Sequence, residues 1–274
     1  MRYPAKLSCL MYHSISGLAC PPGSDDRSQY SVDCEVFRRQ LAILEDSGCV
    51  IVPFGDVGGA PIAEEVLKSG RPGVALTFDD GNASDMWVAG KLAERGMTGT
   101  FFLVRDRCRG GGKSHLSPDM IRELDAMGMT VGTHGCTHGA MNRMSEVEAL
   151  GELADSRKWL EDEVSHEVSV MSFPYGAAGR REIRMALESG YRLVGNSVER
   201  GNSLPVPGPV VNRIAVRRQF SDDDFRRISV LDGLWVLRRR CRAVVLSLPK
   251  MFLHRRAFRR GKAPAAREGE CGNE

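Results

Sequence analysis

Hydrophobic and polar positions along this chain fall into two alternating kinds of block. Short runs of consecutive apolar and β-branched residues, the pattern of strands buried on both faces, occur at 7–12, 49–52, 73–78, 99–104, 130–133, 168–173, 191–195 and 213–216. Between them lie stretches whose apolar residues recur at three- and four-residue spacing. The first follows Ser31 or Asp33 as cap and carries Phe37, Leu41 and Leu44 on one face. Others are expected around Ile62 to Lys68, Ser84 to Arg95, from Ser117-Pro118, Ser145 to Glu163, Arg181 to Ser189, and Asp222 to Val230. Strand–helix alternation repeated this often predicts a parallel sheet with crossover helices. The expected fold class is α/β, a distorted barrel of about seven strand–helix units, with residues 1–230 as one domain and 231–274 as a tail.

Two loops break the alternation. One follows His13 and is rich in Gly, Pro, Ser and Asp; the other, Arg105 to His115, holds three consecutive glycines. The first reads as an exposed, mobile loop; the second, basic and Gly-rich, reads as a solvated loop or one bordering a substrate cleft.

Composition adds bounds without changing the picture. With 42% hydrophobic and 27% charged residues in 274, the chain is ordinary globular protein. A net charge of +3 gives no reason to expect nucleic acid as a partner. The eight cysteines form no CxxC pair, and several sit in apolar runs where a free thiol behaves as a small hydrophobe. The N-terminus, MRYPAKLSCLMYH, has no long apolar segment or small-residue cleavage site, so a cytoplasmic protein with reduced thiols is expected.

Three strand ends carry the candidate chemistry. The run Gly73 to Asn82, GVALTFDDGN, delivers Asp79 and Asp80 to the end of a buried strand, which is costly without a cation or solvent. The strand at 130–133 delivers His134, with His138 at i+4, and the spacing predicts both on one face of a helical turn, near enough to share a metal ion. Two imidazoles and one carboxylate would leave metal positions open for water and substrate. The third strand ends in Ser172-Phe-Pro-Tyr-Gly176, whose Pro and Gly fix a turn able to aim a backbone N–H at an oxyanion. Each also has a plainer reading: helix-capping aspartates, exposed histidines, an ordinary β-turn with a packed tyrosine.

TFDDG, HxxxH and FPYG, in this order and at strand ends, resemble the polysaccharide deacetylase family, carbohydrate esterase family four, from about Leu7 to Arg227. The opening Met11-Tyr12-His13 is similar to the exopolysaccharide-deacetylase subgroup. The resemblance implies a catalytic domain that removes N-acetyl groups from a sugar or polysaccharide by metal-assisted hydrolysis, with metal-bound water as nucleophile. Asp79 would be the general base, Asp80, His134 and His138 the ligands of a divalent metal, most often zinc, and Tyr175 the donor of the oxyanion N–H. Two departures stand out. The arginine that many members carry two residues before the motif's proline is Ser172 here, and no histidine lies near Arg213 to Val216, where many carry the general acid. In the MYH-type subgroup a histidine at this place takes that acid role, so the resemblance implies that His13 would be the general acid.

The other candidates are weaker. His115, His166 and His254 are expected on the surface, and Trp87 and Trp159 in the core. The tail from Leu231 sets Leu234, Leu237, Cys241, Val244, Val245 and Leu248 at helical spacing among arginines. It fits a helix on an anionic membrane surface, giving peripheral membrane association, as well as one packed on the barrel; residues 263–274 are expected to be disordered. Alternative functions are a catalytically silent glycan-binding member of the fold, a deacetylase of a small or lipid-linked N-acetyl sugar, and a non-heme iron oxygenase.

Overall fold

A computed structural model describes residues 5–17, 28–110 and 113–231. The tail expected from Leu231 onward lies, from residue 232, outside the described residues, as does His254.

In chain order the strands are β1 (Ala5–Tyr12), β2 (Ile15–Ser16), β3 (Val32–Asp33), β4 (Val50–Ile51), β5 (Gly73–Asp80), β6 (Thr100–Leu103), β7 (Thr130–Thr133), β8 (Val170–Ser172), β9 (Leu193–Gly195), β10 (Asn202–Leu204), β11 (Val210–Val211) and β12 (Ile214–Ala215). The helices are α1 (Cys34–Asp46), α2 (Ala60–Ser69), α3 (Ser84–Ala93), α4 (Arg105–Arg109), α5 (Pro118–Ala126), α6 (Glu146–Val164), α7 (Arg180–Glu188) and α8 (Asp222–Ser229). The main expected elements are all present. Their starts follow local chemistry: Asp33 accepts from the N–H of Glu35 and Val36, Ser117 from Met120, and Ser145 forms a reciprocal box with Glu148. Among the described residues no helix is long and apolar enough to cross a membrane.

Strands β1-β5-β6-β7-β8-β9-β11 lie side by side in that order and run parallel. Strand β10 adds antiparallel to β1, and β4 and β12 pair parallel with β5 and β1. The stretch Val210 to Ala215 pairs with β9 at its start and with β1 at its end, so one short segment joins the two edges of the sheet. The result is a nearly closed α/β barrel, as the alternation predicts.

Because side chains alternate across a strand, each strand feeds two layers. Leu7, Cys9, Ala75, Phe102 and Val170 fill one core, and Met171, Phe173 and Val194 pack with Met185, Ala186 and Leu153 of the helices in another. The parity that places Ala75 inside also places Thr77 and Asp79 inside. All parallel strands end on one rim, so His13, Asp79, His134 and Ser172 are gathered there by topology alone.

Adjacent strands approach closely at Gly132. A Cβ there would lie 2.8 Å from the Phe102 ring and 2.8 Å from the Val170 carbonyl. Gly132→Ala is expected to cost roughly 1–3 kcal/mol through overpacking, read as a lower urea midpoint; an unchanged midpoint would contradict this packing.

Candidate metal centre and active site

Asp79 is fully buried inside the rim, where an isolated carboxylate could not remain charged. Arg213, completely buried just before β12 in the edge-joining segment, meets it with two parallel bonds: Nη1 donates to Asp79 Oδ1 at 2.7 Å and Nη2 to Oδ2 at 2.8 Å. The rest of the guanidinium is also satisfied, Nε donating to the Asn196 carbonyl at 3.0 Å, Nη1 to Thr77 Oγ1 at 3.3 Å and Nη2 to Ser172 Oγ at 3.0 Å. Its plane lies 5.3 Å over the Phe102 ring, where the apolar interior ends. Burial pushes the Asp79 carboxyl up, but Arg213 and the neighbouring histidines pull it below the ordinary carboxylate range.

Ser172 is thus no gap in the site. Its hydroxyl donates to Asp79 Oδ2 at 3.3 Å, and it stands in the space between Asp79, Arg213 and His134. With no arginine in the FPYG segment, the guanidinium beside Asp79 comes from Arg213, between β11 and β12. Sequence reasoning read Arg213 only as a strand start; the available signal was a charged residue within the run Val210 to Val216, where a buried strand needs a partner for it.

His134 is buried with Nδ1 2.8 Å from the Ser172 carbonyl and 2.7 Å from its hydroxyl. A carbonyl can only accept, so Nδ1 carries the proton and Nε2 presents its lone pair. That Nε2 lies 3.9 Å from Asp80 Oδ1, and His138 Nε2 lies 3.0 Å from the same oxygen. One ligand atom from each of Asp80, His134 and His138 lies within 4.8 Å of the others. The residues fit a shared divalent cation on a structural observation: buried Asp80 Oδ1 makes no well-aligned hydrogen bond and faces two imidazoles, with the Arg107 guanidinium as its other neighbour. Burial opposes charge on Asp80, yet the His138 contact and the other imidazoles hold its carboxyl well below the usual range.

The histidine pair does not sit on a helical turn, contrary to the spacing argument. Gly135 and His138 are left-handed, with φ of 77° and 64°, and residues 134–140 form a loop. Asp80 and Tyr175 share that conformation at 86° and 60°. Non-glycine residues rarely adopt it, and such strain concentrates at functional sites.

These residues open into a cavity of about 730 Å³, lined also by His13, Tyr30, Asn82, Arg107, Tyr175 and Arg217. His13 stacks on Tyr30 at 4.9 Å between ring centres, and its Nδ1 is buried without a hydrogen bond. Two cleft residues come from the Arg105 to His115 stretch, which was expected to be able to border a cleft. Arg107 lies on the short helix α4 that replaces part of the expected glycine loop, with Nη1 3.0 Å from Asp80 Oδ1. His115, expected at the surface, is half-buried at the cleft wall because its backbone bridges to Asn82. His166 is on the surface, paired with Asp125 at 2.9 Å, and Trp159 is in the core, as expected.

The class defined by this barrel and rim is a parallel α/β barrel with a carboxylate–arginine pair beside an Asp-His-His cluster able to hold a cation. The family model described as polysaccharide deacetylase matches residues 67–194. YxkH of Bacillus subtilis (strain 168), assigned by name to the same family, is 27% identical over 193 residues, 69% of this chain and 64% of its own. A peptidoglycan-N-acetylglucosamine deacetylase of Bacillus cereus is 24% identical over 128 residues, 46% of this chain and 44% of its own. The chain therefore spans about half to two thirds of these relatives. The solved structure of Streptococcus pyogenes deacetylase PplD with acetate has the same fold, at TM-score 0.69 and 20% identity, covering 83% of this chain and 99% of that one. Over residues 67–194 this chain is therefore similar to polysaccharide deacetylases.

Two predictions follow from the electrostatics. Arg213→Met leaves Asp79 buried and unpaired and should cost about 3–5 kcal/mol; adding Asp79→Asn should recover part of it in a denaturation double-mutant cycle. Strictly additive losses would mean the pair does not act as a unit. Burial lowers His134 from 6.5 to about 4 against the opposing pull of Asp79 and Asp80. The unfolded chain takes up that proton first, so stability is complete above pH 6.5 and lost as pH falls toward 4. Metal-free protein should lose on the order of 3 kcal/mol across that window, and His134→Asn should flatten the slope; an unaltered slope would exclude His134 as its source.

Proposed function

We propose that this chain is a metal-dependent hydrolase that removes N-acetyl groups from a glycan. The observation carrying this reading is that Asp80, His134 and His138 converge within 4.8 Å beside a separately paired Asp79, in one open cleft. Two imidazoles and a carboxylate suit zinc among the common divalent ions. Bound there, the ion would supply Lewis acidity toward water and the acetyl carbonyl.

The chain's own groups account for the proton traffic. Asp79, charged and fixed by Arg213, accepts a proton from the water whose oxygen bonds to the acetyl carbon. The Tyr175 backbone N–H is assigned to the oxyanion, on a residue at the cleft wall with φ of 60°. His13 is assigned to protonate the nitrogen as the C–N bond breaks, since an amine anion is a poor leaving group; its unpartnered buried Nδ1 supports the role. The products are acetate and a free amino sugar. The MYH opening supports an exopolysaccharide or another N-acetylated glycan as substrate, and the Bacillus cereus relative supports the N-acetylhexosamine class.

The test is acetate release from N-acetylated sugars, oligomers and lipid-linked glycans, with and without chelator. Chelator-sensitive release is expected, and none from any substrate would overturn the reading. Asp79→Asn should lower kcat by about 10²–10⁴-fold with the metal still bound; metal lost with Asp79 would reverse the two aspartate roles. His13→Ala with unchanged turnover would remove His13 from the mechanism.

A further inference from the structure

Helix α6 packs a buried stripe made of Ala149, Glu152, Leu153, Ser156, Trp159 and Leu160. Glu152 is its one charged member, and a carboxylate at such a position needs donors. They come from the loop between the two histidines. Cys136 N–H donates to Glu152 Oε2 at 2.7 Å, Thr137 N–H to the same oxygen at 3.0 Å, and the Thr137 hydroxyl to Oε1 at 2.6 Å.

The other side of the loop is held as well. Its carbonyls at Gly135 and Cys136 accept from the N–H groups of Arg105 and Asp106, at 3.1 and 3.0 Å, at the start of α4. The segment is thus a crosspiece between α4 and Glu152. It approaches Glu152 so closely that a Cβ on Gly135 would lie 2.8 Å from Oε2. Local preference alone would not set this path, because Gly135 and His138 are both left-handed. His134 enters the crosspiece and His138 leaves it, so the separation of their Nε2 atoms depends on this anchoring.

We propose that Glu152 is a positioning residue for the cation site: by gripping residues 136 and 137 it fixes the spacing of His134 and His138, and so sets the affinity for the ion. This rests on the reading of Asp80, His134 and His138 as ligands. The carboxylate acts here as a pair of acceptors and not as a charge seen by the ion. An amide can do the same work, its oxygen accepting both backbone N–H groups and its NH₂ donating to the Thr137 hydroxyl.

The experiment is titration of the purified protein and its variants with zinc against a chromophoric chelator, and with cobalt followed by its visible absorption, alongside thermal melting. Wild type should bind one ion. Glu152→Ala should bind it about 10–100-fold more weakly with altered cobalt bands, whereas Glu152→Gln should stay close to wild type. Equal affinity in wild type and Glu152→Ala would overturn the proposal, and so would a loss in Glu152→Gln as large as in Glu152→Ala. Should Glu152→Ala fail to fold, Thr137→Val, which removes the contact to Oε1, should weaken binding several-fold at unchanged melting temperature; unchanged affinity would overturn it equally. Wild-type protein that takes up no ion would instead defeat the ligand assignment.

Discussion

The rim of this barrel is organised by one buried ion pair. Asp79 arrives on β5 because strand parity sends it inward, and Arg213 arrives between β11 and β12, within the segment that joins the sheet's two edges. Neither charge is tolerable there alone, and each bidentate bond fixes the other's position. The chain's last crossing of the sheet and the aim of the candidate base are therefore one structural event. A buried pair of this kind adds little net stability compared with an apolar pair, so its worth lies in the geometry it enforces.

Adjacent in sequence, Asp79 and Asp80 end in different chemistry. Asp79 turns inward to Arg213 and Ser172, while Asp80, with its left-handed backbone, ends the strand at the mouth and faces two imidazoles. In the proposed reading, one carboxylate is free to take a proton and the other to hold a cation. Ser172 links the halves: its carbonyl and hydroxyl set the His134 tautomer, and its hydroxyl donates to Asp79. The candidate base and the candidate cation site thus share a single fixed framework.

Much of this was legible in the sequence. Asp79, Asp80, His134, Ser172 and His13 lie at or just beyond strand ends that apolar runs mark clearly, and parallel topology does the rest. The short strands Ile15–Ser16, Asn202–Leu204 and Val210–Val211 were not seen, lying next to polar or Pro- and Gly-rich loops that mask so brief a pattern. Arg213 escaped because its partner is 134 positions away and comes close only when the sheet closes. Reading His134 and His138 as a helical pair failed because spacing cannot reveal a left-handed glycine or carbonyls committed to α4. His115 was misplaced for a similar reason, its burial depending on a backbone bridge to Asn82.

The most direct measurement is the anomalous scattering of a zinc-loaded crystal, recorded with the electron density around Asp79. The account predicts one ion at about 2.0–2.2 Å from Asp80, His134 Nε2 and His138 Nε2, with Asp79 still doubly bonded to Arg213. An ion ligated by Asp79, or Arg213 turned away from it, would contradict the account.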